Sequence, residues 1–323
     1  MRAVLTDGNG GPEVLRIGEL PDLRPADDEV LIAVAAAGVN RADLQQRHGN
    51  YPPPPGASEV IGLECSGRIA AVGAAVEGWR PGDACVALLA GGGYAEQVRV
   101  PAGQVLPPPD GMDLVEAGGV LEVAATVVSN LDQARLRAGE SFLVHGGAGG
   151  IGSFAIQYAK AQGAQVFSTA GTDDKLSYCR EIGADLAVSY HDDWVSAIKD
   201  ATDGRGVDVI LDNMGAGYLQ QNTRLLATDG RLMVIGLQGG REALLDLGRL
   251  LVKRGTVAAG TLRGRPVEQK QEICRRVAEQ VWPLYASGAI SLPPITRVPL
   301  TDVAAAHRQL ESGDNVGKII LEM

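Results

Sequence analysis

Closely spaced cysteines are missing from this sequence. Cys65, Cys85, Cys179 and Cys274 lie far apart and form no C-x-x-C pair. That argues against a paired-cysteine zinc cluster and against a disulfide scaffold, so all four are expected as buried thiols. The histidines (His48, His145, His191 and His307) are equally scattered and lack metal-ligand spacing, so no metal site is expected. Basic charge is also short: 29 Lys and Arg stand against 39 Asp and Glu, a net charge of -10. A nucleic-acid partner, which needs a basic face, is therefore not expected. No apolar run reaches membrane-spanning length, and the longest candidate, residues 30–39, is Ala-rich and ends at Asn40. The opening Met1-Arg-Ala-Val-Leu5 reads directly as a strand with no signal-peptide pattern, so a cytoplasmic location with no membrane partner is expected.

What is present is a globular composition of 45% hydrophobic and 21% charged residues, in a chain long enough for two cores. Residues 1–122 carry short strand-like runs at 3–6, 29–35, 65–72, 84–89 and 95–100. Turns such as Gly10-Gly11-Pro12 and Arg80-Pro81-Gly82-Asp83 separate them, as in an antiparallel, barrel-like β domain. Residues 123–265 alternate instead. Strands are expected at 142–145, 165–170, 186–190, 207–212, 231–236 and 256–262, with helices at 151–162, 173–181, 194–201, 218–227 and 243–253. That rhythm predicts a doubly wound parallel sheet, so the fold class is α/β. Residues 266–323 are expected to return to the first domain through a helix after Glu268, extended chain at 292–300, a helix at 301–311 and a strand at 316–321. The nucleotide domain would then be an insertion, with a cleft between the two.

The segment Val144-His-Gly-Gly-Ala-Gly-Gly-Ile-Gly152 carries the most information. Gly147, Gly149 and Gly152 form G-x-G-x-x-G between the apolar run Phe142-Leu143-Val144 and a helical stripe of Ile151, Ala155, Tyr158 and Ala159. The pattern predicts that the first glycine permits the tight turn, the second admits a pyrophosphate to backbone, and the third packs helix on strand. The backbone of Gly147, Ala148, Gly149, Gly150, Ile151 and Gly152 is the expected phosphate cradle at a helix N-terminus. The second strand of the unit ends Phe167-Ser-Thr-Ala170 and runs on as Gly171-Thr-Asp-Asp-Lys175, with no acid at the strand end to hold ribose hydroxyls. Thr172 can donate to a 2′-phosphate and Lys175 can place a cation beside it. Asp173 and Asp174 are read as first-turn residues of a helix that Thr172 caps, which favours NADPH. Asp173 turned back to the ribose would favour NADH.

These residues, taken in order, resemble the zinc-independent medium-chain dehydrogenase/reductases of the quinone oxidoreductase type. The tumour-suppressor-inducible quinone reductase branch is the nearer likeness and zeta-crystallin the more distant. The resemblance spans essentially the whole chain. It rests on Gly11-Pro-Glu-Val-Leu15, Asn40-Arg-Ala-Asp43, Tyr51 with Pro53-Pro-Pro-Gly56, and Gly62-Leu-Glu-Cys-Ser-Gly67. Gly91-Gly-Gly-Tyr94, the glycine turn with Gln157 and Lys160, Thr169-Ala-Gly171, and Gly317-Lys-Ile-Ile-Leu321 add to it. It implies a GroES-like β domain around a Rossmann domain, and a homodimer. Zinc-dependent relatives carry a cysteine ligand where this chain has Asn40 and a histidine ligand where it has Leu63. Neither side chain supplies thiolate or imidazole, so metal-assisted alcohol oxidation is not expected.

The same resemblance implies roles residue by residue. Asn40 would contact the nicotinamide end of the cofactor, Thr126 would lie near it, and Lys175, Tyr190 and Thr172 would hold the 2′-phosphate and adenosine. Gly236, Leu262 and Arg263 would line the nicotinamide side, Asn315 and Lys318 would close over the phosphates, and Tyr51 would face the substrate. Alternative readings of these residues stand beside the functional ones. Asn40 suits a turn cap, Tyr51 suits packing on its proline loop, and Lys175 and Tyr190 suit the surface. Glu64 is read as serving the β domain, and the pairing of Arg41, Asp43 and Glu64 is left open. The segment Val120-Leu-Glu-Val-Ala-Ala-Thr126 departs from relatives, which carry a proline before the glutamate and a bulky aromatic after it.

The leading expectation is NADPH-dependent, metal-free reduction of a quinone, whose electrophilicity lets it accept hydride without a metal or strong acid. The alternatives are an enone or enal double-bond reductase, with Tyr51 as proton donor, and a non-catalytic NADPH-binding protein. The apolar run Thr256-Val-Ala-Ala-Gly-Thr-Leu262, as the last strand of its sheet, offers an open edge for a second copy.

Overall fold

The strands of the first part are β1 (Arg2–Thr6), β2 (Leu15–Glu19), β3 (Glu29–Val39), β4 (Glu64–Val72), β5 (Ala84–Leu88), β6 (Gln97–Pro101) and β7 (Val105–Leu106), with α1 (Arg41–Arg47) after β3. Helix α2 (Leu121–Ala134) leads into β8 (Ser141–His145), α3 (Gly150–Ala161), β9 (Gln165–Ala170), α4 (Asp173–Glu181), β10 (Leu186–Ser189) and α5 (Trp194–Asp200). The alternation continues through β11 (Val207–Asp212), α6 (Leu219–Leu225), β12 (Leu226–Val234), α7 (Leu247–Lys253) and β13 (Thr256–Ala259). The chain closes with α8 (Val267–Gln280), α9 (Trp282–Ala286), β14 (Ile295–Pro299), α10 (Val303–Ser312) and β15 (Lys318–Glu322). The computed structural model describes residues 1–323, which form two units. One comprises Met1–Ala125, Leu262–Ser287 and Pro294–Met323; the other comprises Thr126–Thr261 and Gly288–Pro293.

In the first unit, β3 organises a seven-stranded sheet, ordered β14-β15-β3-β4-β5-β7 with β6 also on β3. Its register against β4 shifts twice, between Leu31 and Ile32 and between Val34 and Ala36. Such bulges bend and twist a strand. Here they let one long strand pair with β6 over Glu29–Ala33 and with β15 over Ala36–Val39. Val30, Ile32 and Val34 alternate into a core with Ile69, Val98, Ile319 and Leu321. All the pairings of this sheet are antiparallel except β14 with β15, which run parallel.

The second unit is an all-parallel sheet ordered β10-β9-β8-β11-β12-β13. Its central strands β8 and β11 are buried along their whole length, as expected of strands covered on both faces. The order reverses between β8 and β11, and the glycine turn follows β8. This is the α/β, doubly wound sheet that the alternation predicts. Two element ends differ from the sequence expectation. Helix α7 starts at Leu247, not 243, because the Asp246 carboxylate accepts the Arg249 N–H and fixes the cap there. Strand β13 stops at Ala259, short of 262.

Candidate cofactor-binding and active-site residues

The glycine turn is tighter than its pattern suggested, and its glycines divide the work differently. Gly146, outside the motif, holds the left-handed conformation at φ +69°, so the turn itself is made there and not at Gly147. Gly147 is required by crowding: a Cβ would collide with the Ser168 hydroxyl and the Cys179 thiol. Gly152 lets α3 pack on the turn, since its Cβ would strike the Gly146 carbonyl and the Gly147 backbone. Gly149, the N-cap of α3, has only the Gly146 carbonyl near a notional Cβ, at 3.6 Å. Ala148 is buried, and Gly150 and Ile151 are half-buried in the first turn of α3. The backbone is therefore free to approach a ligand at Gly149, beside the unsatisfied N–H groups of a helix N-terminus.

Strand β9 ends at buried Ala170 with no acid. Thr172 caps α4, its hydroxyl accepting the Lys175 N–H, and Asp173 and Asp174 are exposed in the first turn. Tyr190 follows β10, 44% exposed, with its amide on the Ala170 carbonyl and its hydroxyl packed against Gly171. The ends of these two neighbouring strands thus place Thr172, with the Lys175 amide on its hydroxyl, and the Tyr190 hydroxyl at Gly171 beside an acid-free strand end. In the same unit the Thr126 carbonyl accepts Asn130 Nδ2 at 2.8 Å, and Gly236 packs on the Asn213 backbone. His145, on the strand that enters the turn, is a core residue. Its Nδ1 and Nε2 meet Thr169 and Asn222 at 3.0 and 2.8 Å, and burial pushes its pKa down to about 4.

In the first unit Asn40 is the N-cap of α1 and the centre of a buried polar group. Its N–H donates to Asp43 Oδ2 at 2.7 Å and its Nδ2 to Glu64 Oε1 at 3.0 Å, while its Oδ1 accepts the Lys318 ammonium at 2.6 Å. Lys318 also pairs with Glu64 Oε1 at 2.6 Å, the two side chains being 5% and 1% exposed. Glu64 Oε2 accepts the N–H of Glu122, in the first turn of α2, at 2.9 Å. Tyr94 donates to Asp43 at 2.9 Å, and His307 and Arg47 continue the chain at 3.3 Å each. Burial raises Asp43 to about 6 and, with help from the Glu64 carboxylate, Glu122 to about 8. The reading of Asn40 as a cap is thus met, with its side chain also tied to Glu64 and Lys318, and Asp43 partners Asn40 and Tyr94 rather than Arg41.

The remaining candidates lie in the first unit, where Lys318, Asn315 and Arg263 each have hydrogen-bond partners of their own. The ammonium of Lys318 is engaged by Glu64 and Asn40 in this buried group, a different set of partners from cofactor phosphates. Asn315 is half-buried, its Nδ2 on the Gly317 carbonyl at 3.4 Å. Arg263, 4% exposed, donates to the Ala90 and Tyr51 carbonyls at 2.7 and 3.0 Å and to Gln46 Oε1 at 2.8 Å. Its guanidinium lies 5.3 Å from the centre of the Tyr51 ring, so Arg263 clamps the Tyr51 loop. Leu262 beside it is buried. Sequence reasoning missed Glu122, His307 and Arg47 as members of this group. The signal available for Glu122 was an acid set among apolar residues in the first turn of α2.

A sheet with the 3-2-1-4-5-6 order, carrying a glycine cradle at its switch point, together with a β unit built on β3, defines a nucleotide-binding protein of the dehydrogenase class. Family models match in both units: "Alcohol dehydrogenase GroES-like domain" over residues 26–110 and "Zinc-binding dehydrogenase" over residues 150–279. The chain is 30% identical to a quinone oxidoreductase of Pseudomonas aeruginosa, over 97% of this chain and 96% of that protein. It is 31% identical to a phenolphthiocerol/phthiocerol polyketide synthase of Mycobacterium tuberculosis over 98% of this chain, but spans only 14% of that relative's length. Among solved structures it is similar to Escherichia coli quinone oxidoreductase complexed with NADPH, with a TM-score of 0.89, 28% identity and full coverage of both chains. The chain belongs to the medium-chain dehydrogenase/reductase family, in its quinone oxidoreductase type. The zinc in one model's description does not fit these residues. No group of three or more His, Cys, Asp or Glu side chains is placed to hold an ion, and at Asn40 and Glu64 a lysine ammonium stands among the oxygens. No helix is long and apolar enough to cross a membrane.

Proposed function

We propose that this chain is an NADPH-dependent oxidoreductase that transfers hydride to a quinone without a metal. The observation that carries the reading is the donor set around Asn40. Lys318 neutralises Glu64 where a zinc-dependent relative would gather ligands, so the acceptor must take hydride without Lewis-acid help. A quinone does so by its own electrophilicity. NADPH fits the glycine cradle and the acid-free end of β9, and the likeness to an NADPH-complexed quinone oxidoreductase supports it.

In this reading the backbone around Gly149 receives the pyrophosphate, with Ala148, Gly150 and Ile151 flanking it. Thr172, Lys175 and Tyr190 hold the 2′-phosphate and adenosine. Thr126, Gly236, Leu262 and Asn315 remain proposed contacts. When bound, the nicotinamide supplies the hydride. Asn40, locked by Glu64 and Lys318, orients the nicotinamide end, and Tyr51, fixed by Arg263, faces the acceptor. We also propose a homodimer formed through the β13 edge, and a cytoplasmic setting. A second reading, reduction of the C=C bond of an enone, is favoured by one feature: a raised-pKa acid, Glu122, stands in the group around Glu64. Turnover of a benzoquinone against an α,β-unsaturated ketone separates the two. The quinone is expected to be reduced with the higher kcat/KM, and a strong preference for the enone would reverse the order of the readings.

A further inference from the structure

We propose that Glu122 is the proton donor of the hydride transfer put forward above, an assignment that rests on that reading. Three carboxyl groups meet in this part of the first unit, and they are not equivalent. Glu64 is engaged through both oxygens, by Asn40 and Lys318 on Oε1 and by the Glu122 amide on Oε2. Asp43 is engaged through Oδ2 by Asn40 and Tyr94, and its Oδ1 is enclosed, with no partner. Glu122 alone gives its backbone to the group and keeps its carboxyl out of every hydrogen bond. The residue is partly exposed, and its carboxyl oxygens are not among the buried atoms left without a partner. It is the acid of this cluster whose carboxyl remains uncommitted.

The charges facing it keep the proton on. Glu64 from β4 and Asp43 from α1 oppose ionisation; Lys318 from β15, Arg263, and Lys270 from α8 favour it; the Cys274 thiol of α8 is also close. Two of the three cations are already committed, Lys318 to Glu64 and Asn40, and Arg263 to Gln46 and two carbonyls. Burial decides the balance, and the group sits at about 8, protonated at neutral pH. A carboxylic acid kept neutral there is matched to general-acid work.

Hydride, one hydrogen with two electrons, leaves the reduced nicotinamide for the acceptor, which is reduced as the nicotinamide is oxidised. The Glu122 O–H bond breaks and its proton forms the new bond, to oxygen of a reduced quinone or to the α-carbon of a reduced enone. The carboxylate left behind regains a proton from water.

The test compares wild type, Glu122→Gln and Glu122→Asp in the full chain, with a benzoquinone and an α,β-unsaturated ketone as acceptors. Glu122→Gln is expected to bind NADPH within about twofold of wild type by fluorescence titration. Its kcat is expected to fall about 100-fold with the enone, in the usual range for a lost general acid, and about tenfold with the quinone, whose product oxygen water also protonates. Wild-type kcat should decline as pH rises through about 8, and this limb should vanish in Glu122→Gln. Independently of turnover, the infrared difference between wild type and Glu122→Gln at pH 7 should show one protonated carboxyl that ionises near the same pH. If Glu122→Gln does not fold, Glu122→Asp, which keeps an acid, carries the test and should retain the limb with at least a tenth of the rate. Glu122→Gln turning over the enone within threefold of wild type, or an ionised Glu122 at pH 7, overturns the assignment alone. A wild type that oxidises NADPH with neither acceptor overturns the proposed function and this inference with it.

Discussion

Lys318 shows how much one residue holds in this protein. Its ammonium neutralises a carboxylate that is 1% exposed, and that carboxylate in turn receives Asn40 and the first turn of α2. Lys318→Met leaves Glu64 buried without a counter-charge. Loss of one partner of a buried pair costs about 3–5 kcal/mol, because the remaining charge is uncompensated. Chemical denaturation should show a loss of that size, and the double variant Glu64→Gln/Lys318→Met should recover more than half of it, since removal of both charges removes the unpaired one. Equal loss in the double variant would mean that packing, not charge, accounts for the effect. Arg263 makes the same point for position: its three hydrogen bonds tie the Tyr51 carbonyl to the Ala90 carbonyl and the Gln46 side chain.

The strand–turn–helix around the glycine motif is where element geometry meets ligand binding, and its glycines respond differently to a methyl group. Gly149 has room for a Cβ, so Gly149→Ala should leave the unfolding midpoint almost unchanged while weakening NADPH binding at least tenfold. Gly152 has none, so Gly152→Ala should lower both stability and affinity as α3 is pushed from the turn. Thermal melts and fluorescence titration of the two variants check this. If Gly149→Ala bound NADPH like wild type, the phosphate would not lie against that backbone.

The sequence made this element legible because apolar period, glycine spacing and helix stripe all agree over a short stretch. Thr172 as the cap of α4 was legible for the same local reason. Gly146 was not: the left-handed turn falls one residue before the motif, and nothing in the spacing distinguishes the two positions. Nor were the partners of Asn40. Glu64 and Lys318 are 24 and 278 residues away from it, and only the β3 pairings with β4 and β15 bring them together. Glu122 was hidden by a similar cause, since its significance lies in the charges around it and not in its neighbours along the chain.

At the scale of the whole molecule, β13 lies at the edge of its sheet, and the preceding helix exposes Leu247, Leu251 and Val252 at 68%, 77% and 77%. An open strand edge beside exposed apolar side chains suits a second copy of the chain. Light scattering should give twice the chain mass, and Leu251→Glu should shift it towards one; a monomeric wild type would rule out the proposed dimer.

The central claim is tested most directly by oxidation of NADPH and of NADH, measured in parallel, with a benzoquinone as acceptor. Rapid oxidation of NADPH is expected, with kcat/KM at least about tenfold above that for NADH, the contribution of Thr172, Lys175 and Tyr190 at the acid-free end of β9. Tight NADPH binding with no oxidation, or a preference for NADH, would contradict it.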